Sequence, residues 1–287
     1  MRRLSVAVAT LFLSACDPEA EFPSEEPLGE AAQAATCGGI AGFPVNPTTG
    51  AAVCPPYNRP AVFFSPHQDD ETLGMGGAIY EHVQAGRDVF LELMTDGSQS
   101  GARAILNNGG THSWHSGSHV YPLTTSEFSE ARMREFKAAA ARLGVKGIYL
   151  NPGITDGTLT QAQVGARIQW WINRGFTGLS LKGTAGSEDP TTAGGTPHRD
   201  HAAVWNALIA SGFADVRGYF VYHHTSNAGT PDVTKVLTAA ECAAKRSALN
   251  EYKLWSPSAG RYAVGYHSVS ALIDSTYSSC REYVEHP

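Results

Sequence analysis

Two short runs concentrate the side chains that bind metals and move protons. The first is Pro66-His67-Gln68-Asp69-Asp70-Glu71, and the second is Pro197-His198-Arg199-Asp200-His201. Imidazole nitrogen and carboxylate oxygen are donors that zinc takes readily. In an irregular turn the adjacent Asp69 and Asp70 must point different ways, so one can bind a metal while the other stays free beside it. A free carboxylate next to a metal is placed to act as a general base on water, which is what a hydrolase needs. A helix N-cap would explain one or two of these acids through the first-turn amides. It does not explain His67. In the second run, two histidines three apart around an aspartate can supply a ligand, an electrophilic imidazole and a partner that orients them. Any one of these histidines alone would as readily be a surface or core residue. Together the runs offer three ligands and leave a coordination position open, the pattern of a catalytic rather than a structural zinc site.

Both runs need elements to hold them. Ala61–Ser65 is a continuous apolar run, as in a strand buried on both faces, and it ends at the first motif. Strands are expected at 88–94, 147–150, 178–181 and 218–222. Helices are expected at 72–85, 127–143, 161–174, 200–210 and 239–254. This alternation predicts an α/β fold, a Rossmann-like three-layer sandwich with a mostly parallel sheet. Ligands of such sheets bind beyond the carboxyl ends of the strands, where both motifs fall. Trp170 and Trp171 read as core packing of the 161–174 helix.

The chain of 287 residues is 42% hydrophobic, enough for a full core. Its net charge of −6 argues against a nucleic-acid partner. Arg2 and Arg3 precede a short apolar run, Leu4–Leu13, that ends in Leu13-Ser14-Ala15-Cys16. The run is too short to span a bilayer and reads as an export signal, residues 1–16. Its end resembles a bacterial lipobox, in which Cys16 would be lipidated and anchor the protein to a membrane of the cell envelope. Residues 17–36 hold six acids and no Lys or Arg, and read as a flexible tether. Without the tether and the two N-terminal arginines, 21 acids face 19 basic residues, so the body from 37 to 287 is nearly neutral. Four cysteines remain, an even number that suits disulfides in an exported protein. Local pairing, Cys37 with Cys54 and Cys242 with Cys280, is the expectation among three connectivities.

Pro66-His67-Gln68-Asp69-Asp70-Glu71 resembles the P-H-x-D-D-E motif of the LmbE/PIG-L family of zinc-dependent N-deacetylases, and His198-Arg199-Asp200-His201 resembles its H-x-D-H motif. Thr95-Asp96-Gly97, Arg132 with Glu135, Asp156-Gly157, and Lys245 with Ala248-Leu249 fit further landmarks in order, so the resemblance spans about residues 60–257. It implies that His67, Asp70 and His201 bind Zn2+ and that Asp69 is the general base. It implies that His198, held by Asp200 and cationic near the developing oxyanion, stabilises the tetrahedral intermediate. Arg132 and Asp156 would contact an N-acetylated sugar or glycoconjugate substrate, and Glu71 would stand behind the ligands.

There are departures. Thr196 stands where some members have tyrosine, which leaves Tyr222 or another tyrosine to reach in. Gln68 stands where the family often has proline. The stretch 98–125 reads as a long loop with Trp114 and Tyr121 as a substrate rim and His112, His115 and His119 as exposed histidines. A second rim is expected at 183–196. Two alternatives to a deacetylase stay open: a carbohydrate-binding lipoprotein that has lost turnover, and a zinc hydrolase of another amide or glycosidic bond.

Overall fold

The apolar run Ala61–Ser65 forms β1 with every residue buried. Its side chains alternate between two cores: Ala61 and Phe63 face one, Val62 and Phe64 the other. The structure, a computed structural model, describes residues 36–111, 118–151, 153–187, 198–222 and 230–287. The expected signal, Cys16 and nearly all of the tether lie outside the described residues, as do His112, Trp114, His115 and most of the second rim.

The first half of the chain runs through α1 (Asp70–Gln84), β2 (Val89–Leu93), α2 (Ala102–Asn108), β3 (Gly110–Thr111), β4 (Ser118–His119), α3 (Thr125–Arg142) and β5 (Gly147–Leu150). The second half adds α4 (Gln161–Ile172), β6 (Ser180–Thr184), α5 (Arg199–Ala210), β7 (Asp215–Tyr219), β8 (Val233–Val236), α6 (Ala239–Glu251), β9 (Trp255–Ser256), β10 (Arg261–Tyr262), α7 (Val264–Ser279) and β11 (Arg281–Glu285). Seven strands form one sheet in the order β5-β2-β1-β6-β7-β11-β8. The first five are mutually parallel, and β11 is antiparallel to both neighbours. Residues of α1, α3, α6 and α7 pack in one core, and residues of α4 and α5 in the other. No helix among the described residues is long and apolar enough to cross a membrane.

Strand order reverses between β1 and β6, so the crevice beyond their carboxyl ends is where an open α/β sheet takes its ligands. The N-termini of α1 and α5 flank it. Gly183 on β6 lets α5 come close, since a Cβ there would meet Val204 at 2.5 Å. Threonine caps with a Glu or Gln at N3 open α3, α4 and α6, a device worth about 1 kcal/mol per cap.

Several expectations need correction. The strand expected at 218–222 is Asp215–Tyr219, because the apolar Phe220-Val221-Tyr222 lies past the ladder and packs at the site end. The strand expected at 178–181 is Ser180–Thr184. The stretch 98–125 is not structureless: it holds α2 and the β3–β4 pair. Trp171 is fully buried, whereas Trp170 is half-buried under the Arg174 guanidinium, 3.7 Å from its ring centroid. Cys37–Cys54 and Cys242–Cys280 are both bonded.

Candidate metal and active site

The first motif is the turn from β1 into α1. Ser65 Oγ donates to the His67 carbonyl at 2.7 Å, and the His67 amide donates to Asp70 Oδ2 at 2.9 Å. This tightens the turn and sets Asp70 at the first position of α1. Asp69 caps the helix with φ 108° and ψ −33°, a backbone region that side chains other than glycine rarely enter. Its carbonyl accepts from the amides of Thr72 (3.0 Å) and Leu73 (2.8 Å).

One carboxylate oxygen gathers the candidate ligands. Asp70 Oδ2 lies 3.0 Å from His67 Nδ1 and 3.2 Å from His201 Nε2. All three side chains are buried. Burial works to raise the Asp70 carboxyl, and the imidazoles of His201 and His67 outweigh it, holding it well below the usual range. His67 Nε2 faces the other way, toward Asp156 Oδ1 and Asp200 Oδ2, each at 3.1 Å. Burial opposes protonation of His67, but Asp70, Asp156 and Asp200 together raise its proton affinity well above that of a free imidazole. His67, His198 and His201 place donor atoms within 4.8 Å of one another, as do His67, Asp156 and Asp200. Two imidazoles and a carboxylate around one point are a donor set that fits zinc.

No imidazole is hydrogen-bonded to Asp69 among the described residues. Burial first, then the neighbouring Asp70 and Glu71, push its carboxyl well above the usual range, against the pull of Arg132 and, more weakly, of His67. Arg132 is itself buried on α3. It donates to the carbonyls of Gly97 (3.1 Å) and Gln68 (2.9 Å), and Nη2 lies 3.6 Å from Asp69 Oδ2. The structure thus places Arg132 behind Asp69, buried. Gly97 makes this approach possible: at φ +65°, a Cβ would run into the Gln68 carboxamide and come within 2.9 Å of Arg132 Nη1. Neither Gln68 Nε2 nor Oε1 has a hydrogen-bond partner among the described residues. Asp156 is on the accessible side, its side chain 24% exposed. Its contact with His67 outweighs burial and lowers its carboxyl to about 2.

His198 and Asp200 do not pair as expected. The Asp200 carboxylate accepts from the amides of Gly157 (2.6 Å) and Leu159 (3.1 Å) and contacts His67. Only its backbone amide reaches His198, donating to Nδ1 at 3.3 Å. That bond leaves the proton of a neutral ring on Nε2. Burial, then the neighbouring His201 and His67, lower the His198 imidazole to about 4, which favours its neutral form. Tyr222 does reach in, stacked on His201 with ring centroids 5.5 Å apart.

What supports this turn from below includes contacts between residues distant in sequence. Glu71 is fully buried. Its Oε2 accepts from the Asp69 amide at 3.1 Å, and its Oε1 accepts from Thr72 Oγ1 (2.5 Å) and the Tyr252 hydroxyl (2.6 Å). Burial raises the Glu71 carboxyl to about 7. Glu135, one turn after Arg132, takes the amides of Val264 (2.7 Å) and Gly265 (2.9 Å) at the start of α7. Tyr252 is 181 residues from Glu71, and no local pattern marks it.

Comparison with known proteins agrees with this architecture. A deacetylase of the teicoplanin biosynthetic pathway, solved as a triple mutant, superposes with a TM-score of 0.50 at 18% identity, covering 75% of this chain and 87% of that one. The A40926 pseudoaglycone deacetylase gives 0.50 at 16%, covering 78% and 94%. The 4-carboxy-2-hydroxymuconate hydratase of Pseudomonas putida gives 0.51 at 18%, covering 80% and 97%. At these identities the likeness is one of fold. No curated protein matches the chain in sequence. The family model described as PIG-L, GlcNAc-PI de-N-acetylase, matches residues 62–211, just over half of the chain and both motifs with it. The chain therefore belongs to the PIG-L family of metal-dependent hydrolases.

Proposed function

We propose that this protein is a zinc-dependent hydrolase that removes an N-acetyl group from an amino sugar or a sugar-containing compound. The observation that carries this reading is the pairing of two adjacent carboxylates with opposite surroundings. Asp70 sits between two imidazoles in contact with it, and Asp69 sits beside it against Arg132, with no imidazole in hydrogen-bond contact among the described residues. His67, Asp70 and His201 would hold zinc, which when bound lowers the pKa of a water toward about 7 and polarises an acyl carbonyl.

The protein's own residues supply the remaining steps. Asp69 takes a proton from water as the oxygen attacks the acyl carbon, and returns it to the amine nitrogen as the carbon–nitrogen bond breaks. Its raised proton affinity suits both halves of that task. His198, neutral with its proton on Nε2, donates to the developing oxyanion, a contribution commonly worth about 2.7–4 kcal/mol. The N-termini of α1 and α5 point their amides into the same crevice and favour negative charge there. Asp156, on the accessible side, is the candidate to accept from a sugar hydroxyl.

The N-terminal reading is part of the same proposal: export, cleavage before Cys16, and a lipid anchor that leaves the domain on a tether. Incorporation of labelled palmitate that vanishes in Cys16→Ser would support it, and equal labelling of both would remove it.

The test of the activity is acetate release by the zinc-loaded protein from a panel of N-acetylated amino sugars and cell-wall fragments, with Asp69→Asn as control. Acetate that depends on Asp69 is the expected result. Stoichiometric zinc with no acetate from any member would overturn it and favour a binding protein or a different acyl group.

A further inference from the structure

We propose that Tyr252 is a positioning residue for Asp69, acting through Glu71. The inference rests on the reading of Asp69 as the general base. It asks what keeps that carboxylate where it is. At φ 108° the Asp69 backbone is in a costly conformation, which persists only where its surroundings over-determine it. Its carbonyl is held by two amides of α1, as any helix start would hold it. Its own amide has no helical acceptor and goes to the Glu71 side chain. That carboxylate is held in turn by its other oxygen, which accepts from the neighbouring Thr72 hydroxyl (2.5 Å) and from Tyr252 (2.6 Å). Tyr252 alone of the two ties it to an element distant in sequence.

The phenol is itself firmly placed. Tyr252 is 1% exposed and closes α6. Its carbonyl accepts from the Tyr266 amide at 3.1 Å. Gly265 leaves room for its ring, since a Cβ there would come within 2.8 Å. Gly265 is in turn held through its amide by Glu135 of α3. The same helix carries Arg132, which steers the Asp69 carboxylate from the other side. Asp69 is thus held by two arms, a guanidinium on the side chain and a tyrosine–glutamate relay on the backbone. Neither Glu71 nor Tyr252 is among the groups that would touch metal.

The experiment compares the zinc-loaded full chain with Tyr252→Phe, Glu71→Gln and the double variant, on an N-acetylated sugar that the wild type hydrolyses. Losing a hydrogen bond to a charged group predicts a fall in kcat of about tenfold for Tyr252→Phe, with KM and zinc stoichiometry unchanged. Glu71→Gln should lose at least as much, since its amide either withdraws from Tyr252 or presents a donor to the Asp69 amide. The double variant should be no worse than Glu71→Gln, because both changes cut one relay. A crystal structure of Tyr252→Phe should show Asp69 out of its positive-φ conformation. An unchanged kcat, a fall accounted for by lost zinc, losses that multiply, or an unmoved Asp69 would each overturn the proposal. If the wild type releases no acetate, the deacetylase reading fails, and the position of Asp69 in the crystal then decides the relay by itself.

Discussion

Two buried clusters of charge lie on either side of the sheet's carboxyl end, and they differ in how their charges are matched. On the α4 face, Glu92 of β2 is fully buried and completely served. Arg167 meets it with two hydrogen bonds (2.8 and 3.0 Å), Trp171 Nε1 donates a third (2.8 Å), and the guanidinium lies over the Tyr149 ring. At the crevice, Asp69, Asp70, Asp156 and Asp200 crowd together, and among the described residues Arg132 is the permanent cation in contact with them. One imidazole, His67, is shared among three of these carboxylates. A matched buried charge is costly to break, because removing one partner strands the other. An excess of acid around few cations is unfavourable alone and marks a candidate functional site.

The contrast is broken most sharply at Asp69. Asp69→Asn should lower kcat by about a hundred- to ten-thousandfold, the range of a general base. Zinc should still bind stoichiometrically, because the imidazoles remain on Asp70. Removing one crowded charge should also raise the melting temperature of the metal-free protein. Turnover retained in this variant would remove the base assignment.

Glu92→Ala should do the reverse. It leaves Arg167 buried without its partner, a change that costs about 3–5 kcal/mol, or roughly 10 °C in melting temperature for a chain of this size. Zinc content and kcat, measured well below the transition, should not change. A loss of activity larger than the loss of folded protein would show that the two clusters are coupled.

How far the sequence anticipates this arrangement depends on the range of the forces involved. β1, α1 and the first motif were legible because strand, turn and chemistry follow one another along the chain. His67, Asp70 and His201 were named as a set through the family resemblance, and the fold brings their side chains into contact. Of the supports, Arg132, Glu135 and Glu71 were named through the resemblance, but not for what they touch. Arg132 and Glu135 reach backbone groups far away in sequence, Tyr252 reaches the Glu71 side chain, and a carboxylate that will accept two amides of α7 looks like any helical glutamate. α7 itself is rich in Ser and β-branched residues and is interrupted at Val269, so its pattern does not stand out. β11 is recognisable only through its partners: Glu282, fully buried on it, binds Lys245 and the amides of Gly77 and Ala78. The shift at His198 was not legible because burial, and then imidazoles distant in sequence, outweigh the adjacent aspartate.

Glu135 extends the comparison to a carboxylate satisfied by amides with no cation in contact. Burial raises it to about 7 from an ordinary 4.5. The folded form then holds a proton that the unfolded chain has released. Its stabilising contribution is therefore full below pH 4.5 and is lost as pH rises through 7, a change of about 3 kcal/mol. Urea melts of the metal-free protein from pH 4 to 8 should show this decline, and Glu135→Gln should lessen it by about 3 kcal/mol, leaving the part due to Glu71 and Asp69. A parallel pH dependence in both proteins would mean that Glu135 stays ionised in the fold.

The smallest effect is expected where the site holds a polar group without a charge. The Gln68 carboxamide is buried between Gly97 and Arg132, with neither atom hydrogen-bonded among the described residues. A buried amide in that state costs about 1–3 kcal/mol, whereas an apolar group of similar shape costs nothing of the kind. Gln68→Leu should therefore stabilise the metal-free protein by about 1 kcal/mol, a rise of about 2–4 °C. The backbone carbonyl that receives Arg132 is unaffected by the change, so Asp69 should stay in place and kcat should hold. A variant that melts higher and turns over as before would class Gln68 with the site's unmatched groups, tolerated and not used. One that melts higher but loses kcat/KM would mean that the carboxamide finds its partner in the substrate, and that this departure from the family's proline is part of what the crevice selects.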